Sequence, residues 1–208
     1  HSQVSGNDIP DQSLVYLERT ETKASVLYRV IPDIRMRSLQ SNTLQNGAQD
    51  IFSFDVRSIG GSQLSWAEVT LTIQGTCGGS ATGCIVRDGV RLFDNNGVLI
   101  PTTVIVGNDY IKLSLQEVET IDANVVKSYR VEANINGVRP NDALAISIED
   151  RNPNYSRKDT LAGAKRLLHD FIWSDNSARF ESVNDRQWFS GHGVPGLPTP
   201  TQRLININ

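Results

Sequence analysis

Apolar and polar residues alternate along much of the chain with a period of two. The apolar members of the clearest runs are Phe52, Phe54 and Val56; Ala67, Val69, Leu71 and Ile73; Ile111, Leu113 and Leu115; Tyr129, Val131, Ala133 and Ile135; and Leu144, Ile146 and Ile148. Successive side chains of a β-strand point to opposite faces. The pattern therefore predicts antiparallel strands with one face in a core and the other in water.

Turn-forming residues separate these runs. The segment 59–62 reads I-G-G-S, and 94–97 reads D-N-N-G, whose Asn-Gly pair predicts a hairpin. We expect 136–142 to close another strand pair. About seven strands spaced by roughly 8–12 residues favour an all-β, immunoglobulin-like antiparallel β-sandwich. The Trp and disulfide pattern of antibody domains is missing, so only the architecture is predicted.

Residues 1–37 are predicted to form an N-terminal strand arm, and residues 38–208 the sandwich domain. The apolar positions that define the arm are Val15, Leu17, Val26, Tyr28 and Val30. They are too apolar to remain in solvent. Their pattern suits addition to an open sheet edge of a neighbouring subunit. It equally suits the first strands of the chain's own sandwich, and the sequence does not decide between the two.

The C-terminal part departs from the alternating pattern. Residues 159–169 predict a short helix capped by Asp159 or Thr160. The chain after Asn176 is rich in Gly and Pro and is expected to be irregular. It ends in one more alternating strand, Arg203–Asn208.

Composition excludes several classes of protein. The 208 residues carry a net charge of −3, which gives no basic surface for nucleic acid. No apolar run approaches the roughly 20 residues of a membrane span. Three His and two Cys provide few candidate ligands for a zinc, iron–sulfur or haem site. The chain begins at His1, and we expect that a targeting segment was removed or the chain trimmed.

The cysteines, Cys77 and Cys84, flank six small residues between two strand-like runs. This spacing favours a structural disulfide across a loop over a redox switch or metal clip, because no His or C-x-x-C motif is nearby. Such a bond stabilises a fold by about 2–3 kcal/mol. If the bond forms, it predicts that the chain matured in an oxidising compartment: periplasm, cell surface or outside the cell.

No catalytic constellation is evident. His169 and His192 are the internal histidines, and Ser62 lacks the G-x-S-x-G turn that positions a hydrolase nucleophile. His192 lies in a Gly-rich segment and is interpreted as a turn residue. The sequence therefore predicts no catalytic residue, no enzyme and no bound cofactor.

The segment 150–154 offers oxygen ligands at alternate positions, as calcium loops do. The candidate ligands are Asp150, Asn152 and Asn154, completed by Asp159 or Asp175. An EF-hand is excluded because Tyr155 occupies the position of the required Gly. The favoured interpretation is an Asx-rich turn, with a looser calcium site as the alternative.

Trp66, Trp173 and Trp188 are candidates for an interface or a sugar-stacking platform. By alternation Trp66 shares a face with Glu68 and Thr70, which predicts an outward position on its strand. An outward Trp serves as a binding surface or interface anchor. The alternative is a Trp covered by a terminal segment of the same chain.

Several segments resemble one family. Residues 171–177 read F-I-W-S-D-N-S and 188–198 read W-F-S-G-H-G-V-P-G-L-P. They resemble the ending of surface-exposed β-sandwich proteins of small-genome, candidate-phylum bacteria. Leu44–Val56, Val90–Phe93 and Val126–Val131 are similar to the same proteins' upstream strands.

The resemblance has departures: the family commonly has W-T-N-G where this chain has 188–191, and the Cys77–Cys84 loop resembles an insertion. It implies secretion and a non-enzymatic role at the cell surface. The strand layout is more distantly similar to TasA-type filament subunits, a family that polymerises by lending an N-terminal strand.

Two functions are therefore expected. The leading hypothesis is an extracellular structural subunit of a filament, pilus or surface layer, whose partner is itself. The alternative is a monomeric adhesin or glycan-binding module that uses exposed Trp and Tyr.

Overall fold

The computed structural model describes residues 15–17, 26–150, 170–177 and 187–206. The regular structure of these residues consists of β-strands, which confirms the all-β prediction. The helix predicted over 159–169 lies outside the described residues. Within them, no helix has the length and apolarity needed to cross a membrane.

The first layer of the sandwich is a five-stranded antiparallel sheet. In spatial order its strands are β3 (Val30–Met36), β4 (Gly47–Gly60), β10 (Val126–Ile135), β6 (Ile85–Asp94) and β7 (Leu99–Ile100). In β4 the predicted inward residues Phe52, Phe54 and Val56 are fully buried. The strand β3 lies within the expected arm 1–37, yet it pairs along its whole length with β4.

The second layer is built around one long strand, β5 (Leu64–Thr76). Its other members are β8 (Thr102–Val106), β9 (Tyr110–Ile121), β11 (Ala143–Ser147), β12 (Phe171–Ser174), β13 (Phe189–Ser190) and β14 (Gln202–Ile205). One edge of β5 pairs with β9, which pairs in turn with β8. The other edge pairs first with β12 and then with β11. A separate two-stranded sheet joins β1 (Val15–Leu17) to β2 (Val26–Tyr28).

One of two predicted turns stays within a sheet, and the other connects the two layers. The D-N-N-G segment forms the predicted hairpin between β6 and β7, and Asp94 Oδ1 accepts hydrogen bonds from the N–H groups of Asn96 and Val98 at 2.8 Å. The prediction that 136–142 closes a strand pair is wrong. That segment carries the chain from β10 in the first sheet to β11 in the second, because each strand finds its partners within its own layer.

Aromatic side chains fill the space between the sheets. Trp66 stacks on Phe171 at 5.4 Å between ring centroids and meets Tyr129 of the first sheet edge-on at 4.9 Å. Phe54 stacks on Tyr129 at 5.3 Å. Each such pair contributes about 0.5–1.5 kcal/mol beyond its buried area. Trp66 therefore joins the two layers.

The prediction that one face of β5 is exposed to solvent is wrong. The pairing of β5 with β9 shifts register between Trp66 and Glu68, where a β-bulge occurs. A one-residue shift exchanges the two faces of a strand. Trp66 therefore faces the same core as Val69, whereas Ala67 lies in a smaller cluster with Ile172 and Trp188. The polar positions Glu68, Thr70 and Thr72 are also buried.

The chain's last described segment is irregular apart from short strands, as predicted, and it covers two sheet edges. Ile34 of β3 donates its N–H to the carbonyl of Pro195 at 2.9 Å. Gly196, with φ of +85°, lies against the Ile34 carbonyl where a Cβ would collide. The strand β14 pairs with β11, and Ile205 also exchanges backbone hydrogen bonds with Asn42 and Leu44.

The predicted disulfide is present: Cys77 and Cys84 are bonded, with Cα atoms 5.2 Å apart. Both cysteines are buried. Asp142 anchors the loop between them, because its Oδ2 accepts the N–H groups of Gly78 at 2.9 Å and Arg139 at 2.8 Å. These two backbone bonds, that from Gly78 first, lower the pKa of Asp142.

Removal of the disulfide by the double substitution Cys77→Ser/Cys84→Ser is expected to lower the free energy of unfolding by about 2–3 kcal/mol. Urea denaturation of both proteins measures the difference. A reducing agent should destabilise the wild type and leave the double variant unchanged. An equal response of the two proteins to the reducing agent would contradict this assignment.

The lowered pKa of Asp142 predicts a specific acid sensitivity. A carboxylate whose pKa is lower in the folded state stabilises the fold above its unfolded pKa of about 3.9, and this contribution is lost as pH falls further. Urea midpoints measured from pH 6 to pH 3 should therefore fall more steeply for the wild type than for Asp142→Asn. Parallel curves would show that Asp142 has no such role.

Candidate functional site

The predicted arm residues fall into two parts of the structure. Val15 and Leu17 of β1 lie opposite Tyr28 and Val26 of β2, and Val30 belongs to β3 in the first sheet. Tyr28 is 3% exposed. Its ring lies 5.1 Å from Trp173 and 4.9 Å from Phe189. Tyr28 therefore fixes the base of the arm, and the part outside both sheets ends there.

The three tryptophans do not form an exposed platform. Trp66, Trp173 and Trp188 are each at most 1% exposed, so the prediction of an outward Trp66 is wrong. The bulge in β5 turns Trp66 into the core. Trp173 is covered by Tyr28 and donates its indole N–H to the carbonyl of Ser190 at 3.0 Å. Trp188 packs in the small cluster behind β5. None of the three is available to stack on a sugar.

The calcium candidates are only partly described. Asn152, Asn154 and Asp159 lie outside the described residues. Asp150 Oδ1 lies 2.6 Å from His192 Nδ1, and its Oδ2 accepts the N–H of Gly193 at 3.3 Å. Asp175 accepts the backbone N–H groups of Arg29 and Ser177. In the part of the chain that the structure describes, no three His, Cys, Asp or Glu side chains are placed to share a metal ion.

Of the two internal histidines, the structure describes His192. His169 lies outside the described residues. His192 contacts Asp150, as described above, and thereby joins the C-terminal segment to the residues that follow β11. Ser62 lies in the turn between β4 and β5, where Ser58 Oγ donates to its carbonyl at 3.3 Å.

A groove that the sequence did not reveal lies at one end of the sandwich. Its walls are the turn 94–96, the segment 98–101 that contains β7, Glu117 and Glu119 of β9, and residues 126–129 of β10. Its volume is about 490 Å³, within the usual range of binding pockets. We call it the β7–β10 groove.

A chain of hydrogen bonds forms the polar side of the groove. Lys127 Nζ and Tyr129 Oη both donate to Glu119 Oε2, at 3.0 and 3.1 Å. Trp66 Nε1 in turn donates to Tyr129 Oη at 3.1 Å. Burial raises the pKa of Tyr129, so its phenol stays protonated and remains a donor. The charge of Glu119 is thus held by neighbours and joined to the core tryptophan.

The rim of the groove is apolar and exposed. Val98, Leu99 and Val126 are 60%, 52% and 50% exposed, and the adjacent Val125 is 41% exposed. The alternation of the sequence does not indicate this site. One feature of the sequence could have indicated it: two short apolar pairs, at 98–99 and 125–126, lie beside turns. In these positions alternation places polar residues. Their convergence depends on pairing between distant strands.

Another cluster of charged groups is buried between β5 and β9. Lys112 Nζ lies 2.9 Å from Glu68 Oε1, with the two side chains 8% and 0% exposed. Ser114 Oγ donates to Glu68 Oε2 at 2.6 Å. This ion pair explains how polar side chains occupy the second face of β5, because buried charges require partners.

Comparisons with known proteins give little guidance. No family model and no curated protein matches the sequence. Among solved structures, the chain is similar to the 35 kDa C-terminal fragment of the major pilin GBS80 of Streptococcus agalactiae. The match covers 86% of this chain and 79% of that chain, at 10% identity and a TM-score of 0.24. A TM-score this low carries no argument about function.

The buried ion pair gives a stability prediction with a matched control. Lys112→Met leaves Glu68 as a buried charge without its cation and should lower the free energy of unfolding by about 3–5 kcal/mol. Lys127→Met breaks the partly exposed pair with Glu119 and should cost less than about 1 kcal/mol. Urea denaturation of the three proteins checks the ranking. Equal effects would contradict the structural role of Lys112.

Proposed function

We propose that this protein is an extracellular, non-catalytic structural subunit that assembles with copies of itself into a filament, pilus or surface layer. Assembly proceeds by addition of the N-terminal strand of one copy to a sheet of the next. The resemblance of the C-terminal segments to surface β-sandwich proteins supports the location. The disulfide supports it independently, since such bonds persist in oxidising compartments.

The observation that carries the proposal is the separate sheet formed by β1 and β2. Among the described strands, β1 pairs only with β2, and β2 only with β1. An isolated two-stranded hairpin is marginally stable at best in water. A third strand would complete its hydrogen bonding, and a sheet edge in a second copy provides one.

Strand addition between copies also accounts for polymerisation. The contact is heterologous, because the donating surface differs from the accepting surface. Heterologous contacts propagate into open chains unless the rotation between copies closes a ring. A subunit that carries both surfaces therefore needs no other partner to form a filament.

The double substitution Val15→Pro/Tyr16→Pro tests the proposal in the full chain. Adjacent residues of a strand direct their N–H groups to opposite edges, so the two prolines remove donors from both edges of β1. We expect wild-type protein to form larger species as concentration rises and the proline variant to remain monomeric. Light scattering after size exclusion and negative-stain electron microscopy measure this.

Val15→Ala/Tyr16→Ala is the matched control, because it shortens the same side chains and keeps both N–H groups. It should assemble far better than the proline variant, and all three proteins should give the same circular dichroism spectrum. A wild-type protein that stays monomeric, or a proline variant that assembles as well as wild type, would refute strand donation.

A further inference from the structure

The geometry points to the β7–β10 groove as the site that receives β1, residues Val15–Leu17, from a second copy of the chain. This inference rests on the proposed function and adds to it the accepting surface. Three features support it: the backbone of β10, the exposed apolar rim, and the size and charge of β1.

The backbone of β10 is unpaired where it enters the groove. The pairing of β6 with β10 ends at Asp94, opposite Tyr129, because the D-N-N-G turn then reverses the chain. Residues Val126–Ser128 continue past this point and pair only with β4 among the described strands. Their opposite edge therefore offers strand hydrogen-bonding groups to an added segment.

The exposed large apolar residues concentrate at the same place. Val98, Leu99 and Val126 line the groove, and each is at least half exposed. Clusters of exposed apolar side chains on a soluble protein mark interaction sites, whereas single ones do not. A partner that covers this rim must itself present apolar side chains.

The strand β1 fits the groove in length, in apolarity and in its lack of charge. It spans three residues, and so does the unpaired stretch of β10. Its sequence, V-Y-L, is apolar enough to suit the apolar rim. The segment 13–17 carries no charge. An acidic strand would be repelled by Asp94 and Glu117, since the one lysine of the groove is engaged by Glu119.

The base of the arm and the groove lie at the same end of the first sheet. Val30 of β3 pairs with Gly60, and Val126 of β10 pairs with Arg57, both at the C-terminal end of β4. Two copies that meet by these ends can exchange arms reciprocally and close as a pair, while one-way donation continues as a chain. The β1-to-groove contact is the same in both.

Cross-linking from the arm tests the inference directly. A photoreactive benzoylphenylalanine replaces Tyr16 in the full chain, and isotopically labelled and unlabelled copies are mixed before irradiation. Mass spectrometry then identifies which cross-links join two copies. We expect intermolecular cross-links to residues 98–101 and 126–128. Cross-links between copies that map elsewhere, or only intramolecular links to β2, would overturn the inference.

A pair of matched variants measures the contribution of the rim. Val98→Asp/Leu99→Asp places charges in the groove and should raise the concentration for half-assembly at least about tenfold. Val86→Asp/Ile205→Asp changes two residues that are also exposed but lie outside the groove. This control should leave the concentration for half-assembly within about twofold of wild type.

The outcomes separate the two proposals. A wild-type protein that never assembles removes both. Assembly that is abolished by prolines in β1, yet is unchanged by Val98→Asp/Leu99→Asp, leaves strand donation standing and overturns only the groove as its acceptor. Equal loss of assembly in the groove variant and its control would also overturn the groove, because the effect would then follow from added charge alone.

Discussion

The packing of Trp66 against Tyr129 is the contact on which the rest of the structure depends. Trp66 comes from the central strand of one sheet, and Tyr129 from the middle of the other. Their rings meet at 4.9 Å and a hydrogen bond joins their polar atoms. To place the indole there, β5 must bulge after Trp66. The same tyrosine then reaches the β7–β10 groove through Glu119, so the core and the candidate assembly surface share a residue.

Much of the fold could be predicted from local pattern. Alternation identified the inward residues of β4, β9, β10 and β11, and small residues between two cysteines identified the disulfide. The bulge could not be predicted, because the sequence of β5 alternates in the same way whether or not the strand bulges. The bulge exchanges the faces to which Trp66 and Ala67 point. The connection between the two sheets at 136–142 could not be predicted either. Turn-forming residues have the same composition whether the next strand joins the same sheet or the other one.

The groove was hidden for a related reason. It exists because the pairing of β6 with β10 ends at Tyr129, three residues after β10 begins. Among the described strands, none pairs with Val126–Ser128 on that side. Such a difference in strand length becomes visible only once the register of distant strands is known. The exposed Val98 and Leu99 look unremarkable in sequence, and gain meaning when Val126 lies across the groove from them.

The covered and uncovered strand edges link the fold to the proposed assembly. Pro195 and Gly196 cover β3, and residues 42–44 border β14. Soluble proteins commonly protect strand edges in this way. The end of β10 and the strand β1 lack such cover among the described residues. Strand exchange between copies would cover the end of β10 and the free edge of β1.

An electron cryomicroscopy map of wild-type protein assembled at high concentration tests this account most directly. The account predicts continuous density in which β1 of one subunit lies along Val126–Ser128 of the next. A map in which β1 remains on its own β2 and subunits touch through other surfaces would contradict it.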